Sequence, residues 1–228
     1  MSVNHKTLTC ENCKSREDSL FSSFDCHKVE HLNEVKTCAF YKKKQAIFLN
    51  GSYPRGVYCI NSGKVKVFSV GSEGKEQIVH IAKEGEIIGF KAMLSGNTYN
   101  VSAETLEDSN ICFISKEEFL NMIEENQILR NRILSELSSE LNERTLLITS
   151  MAQKSVRERL AFSLILLQKV YGEYPINLSR EDLANFVGTA TETLIRLLKD
   201  FEKEGLIETQ VRKISIKDSN AIMRTANV

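Results

Sequence analysis

The chain has 228 residues, with 30 Lys and Arg against 30 Asp and Glu, six Cys, two Pro, no Trp and 42% hydrophobic residues. That length suits one large domain or two small ones, and the apolar fraction excludes a wholly disordered chain. Zero net charge excludes nucleic-acid binding by bulk electrostatics alone and leaves room for a local basic face.

The N-terminus, MSVNHKTLTC, lacks the apolar core of a signal peptide. The longest apolar-rich run, Leu160–Leu167, is far shorter than the roughly 20 residues of a membrane span. No membrane association and a cytoplasmic location are therefore expected. In a reducing compartment the six cysteines read as buried thiols, metal ligands or redox-sensitive groups, not as a disulfide framework.

A Cys-containing tail, residues 1–18, precedes a segment crowded with glycine: eight of the eleven glycines lie between Gly51 and Gly96. Between these turn signals lie the short apolar or alternating runs Ala46–Leu49, Gly56–Ile60, Lys64–Val70, Gln77–Ile81, Glu86–Phe90 and Asn110–Ile114. In Lys64–Phe68, Val65 and Val67 share one face and the lysines the other. Residues 19–115 are thus expected to form a small antiparallel barrel or sandwich.

From Lys116 the period becomes helical. Leu134, Leu137, Leu141, Ile148 and Met151 recur at three- and four-residue steps, interrupted at Arg144. So narrow a stripe predicts a long helix over 116–151 that pairs with its copy in a parallel homodimer, the alternative being a stripe that packs on its own barrel. In the remaining 152–228, a helix is expected over Lys154–Val170, with Leu160, Leu164 and Leu167 on one side, and a hairpin over Leu206–Ile216.

Between them, Ser179–Gly188 opens on a Ser N-cap, carries a carboxylate three residues on and closes at Gly. A second helix from Thr191 ends at Gly205 and places Leu194, Leu197, Leu198 and Phe201 on one face, with Glu192, Arg196, Lys199 and Lys203 opposite. This is the helix-turn-helix arrangement, whose second helix enters the major groove of double-stranded DNA. Arg196 can donate to guanine, Glu192 can accept from cytosine, and Thr191 and Arg180 flank them. Arg212 and Lys213 near the hairpin tip would touch phosphate as a wing. The competing reading makes Glu192 and Arg196 only a surface ion pair.

Thr191-Glu192-Thr193-Leu194-Ile195-Arg196-Leu197-Leu198 resembles the recognition helix of the Crp/Fnr family of bacterial transcription regulators, as Glu84–Phe90 and Tyr58–Val65 resemble its β-roll strands. The resemblance covers nearly the whole chain from Ser19 and is closest to the Fnr-like branch that binds no cyclic nucleotide. It implies an α+β chain: an N-terminal cupin-like antiparallel β-roll, a long dimerisation helix and a C-terminal winged helix-turn-helix. It further implies a palindromic site with a TGA-like core and contact with RNA polymerase. Ile195 replaces a residue that is often small and polar in the family, so it offers the outer base only apolar contact.

The cyclic-nucleotide members carry a Glu after the Gly89 position and an Arg-Ser pair some ten residues on. Here Phe90-Lys91 and Tyr99-Asn100-Val101 stand there, and no Arg occurs between Arg55 and Arg130, so cyclic AMP is not the expected ligand. Lys91 is an anion contact or a solvated lysine. Iron–sulfur members bind their cluster through N-terminal cysteines and one late β-roll cysteine. Cys10-Glu11-Asn12-Cys13 and Cys112 resemble these, but the third N-terminal cysteine falls at Ser19. Cys26 is the nearest substitute, then Cys38, with Asp25 and His27 as non-thiolate candidates.

An iron–sulfur cluster, zinc, a redox disulfide, another small ligand and no ligand all remain open. For Cys112 the alternative is a buried strand thiol, and Cys59 reads as a core residue. No paired His and carboxylate spacing supports a catalytic metal, so no enzyme is expected; a cupin-type binding protein or enzyme is the remaining alternative.

Overall fold

In a computed structural model the chain is described over residues 9–227. It divides into two compact units: residues up to Val67 with Ala82–Ser139, and Phe68–Ile81 with Glu140 onward. In chain order the elements are α1 (Lys14–Glu17), α2 (Cys26–Val35), β1 (Lys36–Tyr41), β2 (Ala46–Phe48), β3 (Gly56–Ser62), β4 (Val65–Val70), β5 (Glu76–Ala82) and β6 (Ile87–Ile88). There follow α3 (Phe90–Ser95), β7 (Ser102–Thr105), β8 (Ser109–Ser115), α4 (Lys116–Glu125), α5 (Gln127–Gln153) and α6 (Val156–Tyr171). The C-terminal elements are β9 (Ile176–Asn177), α7 (Arg180–Val187), α8 (Thr191–Lys203), β10 (Ile207–Gln210), β11 (Lys213–Ile216) and α9 (Ser219–Ala226).

Two four-stranded sheets, ordered β1-β8-β3-β6 and β2-β7-β4-β5, form the expected β-roll. β8 pairs antiparallel with both β1 and β3, matching Tyr58 with Phe113, Cys59 with Cys112, and Ile60 with Ile111. Because side chains alternate across a strand, these pairs alternate between faces. Ile60 and Ile111 join Phe48, Val65, Ile88, Tyr99 and Ala103 in one core. Val57, Ile87 and Ile114 join Leu32 of α2, Phe119 and Met122 of α4, and Leu129 and Ile133 of α5 in another.

Three features depart from the sequence reading. β1 and β7 complete the sheets although neither stands out as an apolar run, and four of the six β1 residues are exposed. The lysine face of β4 is not solvated: Lys66 is buried, with Nζ 3.5 Å from Glu104 Oε1 on β7. The helix expected to run unbroken from Lys116 is interrupted at Asn126, whose φ of −121° and ψ of 97° are extended. Its Oδ1 accepts from the amides of Ile128 at 3.0 Å and Leu129 at 3.1 Å and so restarts the helix as an N-cap.

Phe119 is fully buried and meets Phe21 edge-on at 6.3 Å, tying α4 to the N-terminal segment. Phe119→Ala is expected to cost about 3–5 kcal/mol of stability in urea unfolding, against under about 0.5 for an exposed control such as Lys116→Ala.

Candidate functional site

In the second unit, Leu160, Leu164 and Leu167 of α6 are fully buried, as are Leu183 of α7 and Leu194 and Phe201 of α8. Ser179 caps α7, its Oγ accepting from the Asp182 amide at 2.9 Å, and Gly188 ends that helix at φ +74°. Arg159 fastens the turn: Nε donates to Val187 O at 3.2 Å and a terminal nitrogen to Gly188 O at 3.1 Å, answering carbonyls the helix end leaves open. On the far side of α8, Glu192, Arg196, Lys199 and Lys203 are exposed. No hydrogen bond or ion pair joins Glu192 to Arg196 among the described residues, so the surface-pair reading has no geometry to rest on. Thr191 opens α8, and its N-cap, Ala190, offers no side-chain acceptor.

β9, β10 and β11 form a three-stranded sheet in the order β10-β11-β9. At its tip Val211 takes φ +56°, and Arg212 and Lys213 are exposed. Arg180 donates to the carbonyls of Val211 at 3.1 Å and Arg212 at 3.4 Å. Its guanidinium therefore holds the wing tip, a structural task that the sequence reading did not assign to it. Along α5, Leu134, Leu141, Ile148 and Met151 are exposed, by 57%, 69%, 69% and 39%, whereas Leu137 is partly buried against its own core. Arg144 leaves this stripe to bond Val79 O and Glu140.

In the first unit Cys10, Cys13, Cys59 and Cys112 line one cavity of about 50 Å3, with Phe21, Leu32, Ile60 and Ile114 among its apolar walls. Ser19, Arg16 and Lys36 line it too. Cys10 N donates to Asn33 Oδ1 at 2.6 Å, Arg16 Nε to Cys10 O at 3.0 Å, and Asn61 Nδ2 to Cys13 Sγ at 3.1 Å. Gly85, at φ +88°, lets this segment lie close, since a Cβ there would stand 2.9 Å from Ser15 O. Burial pushes the Cys10 thiol up, opposed by Lys36, which hydrogen-bonds it. Burial also pushes Cys59 up, well above the ordinary thiol range.

Two cysteine expectations change. Cys38 and Cys112 are disulfide-bonded, with Cα atoms 4.0 Å apart, because they are direct partners across β1 and β8. Cys59 packs against the core as expected and also lines the cavity beside Cys112, because the β3–β8 register pairs them. Cys26 begins α2 as an exposed residue outside the cavity. Asp25 caps that helix, and His27 is exposed beside Glu30, so neither reaches the thiols. Among the described residues no three His, Cys, Asp or Glu are arranged to hold one metal ion.

On the opposite side of the sheet, Phe48 stacks on Tyr99 at 4.0 Å, and Tyr58 packs on Phe113 at 5.2 Å. Lys91 is exposed over the Phe90 ring at 5.7 Å.

A β-roll unit followed by a helix-turn-helix with a wing is the layout of a DNA-binding transcription regulator, and comparison with known proteins agrees. Residues 39–126 match the cyclic nucleotide-binding domain family and residues 158–225 the Crp-like helix-turn-helix domain family. The chain is 30% identical over 219 residues to the regulatory protein HlyX of Actinobacillus pleuropneumoniae, covering 92% of this chain and 90% of that one. It is 26% identical over 227 residues to the fumarate and nitrate reduction regulatory protein of Escherichia coli K12, covering 96% and 90%. FixK2 from Bradyrhizobium japonicum shares the fold with a TM-score of 0.77 at 19% identity, covering 84% of this chain and 97% of that one. The chain belongs to the Crp/Fnr family of transcription regulators, and it is not an enzyme.

Thiolate is the nucleophile in alkylation, so exposure and a low pKa speed it. In the native protein Cys26 is expected to be modified first and Cys59 last, with Cys38 and Cys112 unmodified until a dithiol is added. Peptide mass spectrometry over a time course checks the order.

Proposed function

We propose that the chain works in the cytoplasm as a homodimer that binds a palindromic TGA-like site on double-stranded DNA and responds to oxygen, nitric oxide or thiol redox state. The observation that carries the sensory half is the convergence of Cys10 and Cys13 with Cys112 on one cavity. Sulfur donors, apolar walls, an amide donor to sulfur and two lining cations suit a thiolate-bound iron–sulfur cluster. Such a cluster, when bound, supplies oxygen-sensitive electron chemistry. The protein's own part is to hold the N-terminal segment across the sheet: Asn33 fixes Cys10, Asn61 fixes Cys13, and Arg16 braces the loop between them.

Arg196 and Glu192 are the base-reading residues of this proposal, with Thr191, Lys199, Lys203, Arg212 and Lys213 on phosphate. Arg180 serves the site indirectly by setting the wing. The exposed leucine and isoleucine stripe of α5 forms the dimer seam. A signal changes the geometry of that seam and hence the spacing of two recognition helices about 34 Å apart. Aromatic packing of Phe48, Tyr58 and Tyr99, together with the missing phosphate arginine, argues against cyclic AMP. RNA polymerase is the partner the family implies.

Arg196→Ala is expected to weaken binding to a palindromic TGA-type duplex by about 1–3 kcal/mol per half-site in a mobility-shift titration. Unchanged binding overturns the recognition-helix assignment. Leu141→Lys is expected to give a monomer in analytical ultracentrifugation and to abolish tight binding of the palindrome. Protein purified without oxygen is expected to be brown, to hold iron and acid-labile sulfide, and to lose its DNA affinity in air. Colourless, iron-free protein overturns the sensory reading.

A further inference from the structure

Cys10, Cys13 and Cys112 make three sulfur donors, whereas a cluster held entirely by thiolates takes four. The position where the family supplies another is Ser19. Its hydroxyl is engaged in its own turn, donating to Arg16 O at 2.8 Å and accepting from the Phe21 amide at 3.1 Å. Resting on the sensory reading above, we propose that Cys59 of β3 is the fourth thiolate ligand, replacing from within the sheet the cysteine that the N-terminal segment lacks.

The assignment follows from register and alternation. Cys59 is the direct antiparallel partner of Cys112, so the two side chains leave the sheet on one face. That face looks onto the segment carrying Cys10 and Cys13, and all four thiols line the same cavity. Register puts Cys38 on the same face as Cys112 too, but Cys38 lies on the edge strand, exposed and outside the cavity lining, and Cys26 is exposed on α2, so burial in the cavity is what singles out Cys59. Lys36 and Arg16 on the cavity wall offset the negative charge that four thiolates bring.

Cys112 must first be released from Cys38. Thiol–disulfide exchange with a dithiol reductant does this: two electrons and two protons pass to the Cys38–Cys112 bond, giving two thiols, and the reductant leaves as its own disulfide. Cys38 is then free of the ligand set, and when the centre is lost it can recapture Cys112 by exchange with a small-molecule disulfide, which takes up the two electrons and two protons and leaves as two thiols.

Full-length protein, reduced with a dithiol and loaded anaerobically with ferrous iron and sulfide, tests the assignment. Cys59→Ala and Cys59→Ser are expected to lose the visible cluster absorption and the acid-labile sulfide, while Cys26→Ala and Cys38→Ala keep wild-type content. Circular dichroism and thermal unfolding separate ligand loss from misfolding. In the loaded wild type, alkylation followed by mass spectrometry is expected to find Cys38 still reactive and Cys10, Cys13 and Cys112 protected. Wild-type iron and sulfide content in Cys59→Ala overturns this assignment alone. A wild-type protein that takes up no iron and sulfide overturns the sensory reading and this assignment with it.

Discussion

The pleat of β8, clamped between β1 and β3, sets what each face of the first unit can do. Two neighbours fix its register at once: Cys112 faces Cys38 on one side and Cys59 on the other, and Ile111 faces Ala39 and Ile60. A slip of one residue would send the cysteine into the aromatic interior and an isoleucine onto the thiol cavity. The apolar cost of that exchange is large, because Ile111 and Ile114 are each only 1% exposed on opposite faces. Hydrophobic burial therefore specifies the placement of a sulfur atom that contributes little burial itself.

The same partition governs the sensory face. On one side of the sheet Phe48, Tyr58, Tyr99 and Phe113 fill the interior with aromatic contacts. On the other, the N-terminal segment buries Cys10, Leu20, Phe21 and Phe24 in the second core, and hydrogen bonds and a close glycine contact hold its cysteine loop on the sheet.

Legibility from sequence tracked how local each cause is. The helix-turn-helix could be read because its N-cap, its closing glycine and its apolar period are contiguous, and Leu194, Leu197, Leu198 and Phe201 are all buried as that period requires. β7, with the sequence Ser-Ala-Glu-Thr, has no apolar alternation and is a strand only because its neighbours pair with it. Asn126 is compatible with a helix interior and acts as a cap only once the chain turns there. Cys59 packs against the core as read, but its place beside Cys112 depends on a register with β8 that no local pattern encodes. Arg180 sits where a DNA contact is expected, yet its reach to the Val211 carbonyl depends on the path of a hairpin thirty residues on.

Cys112 has two cysteine neighbours in register and can serve only one at a time. Bonded to Cys38 its sulfur still lines the cavity but has no thiolate to give a metal; freed, it can join Cys59, Cys10 and Cys13 there. Both partners lie on strands paired directly with β8, so the register presents one sulfur to two neighbours at once. On the ligand assignment above, disulfide and metal centre are mutually exclusive by stoichiometry of that one sulfur atom. The exclusion follows from strand register alone, because β8 offers Cys112 to Cys38 on one side and to Cys59 on the other.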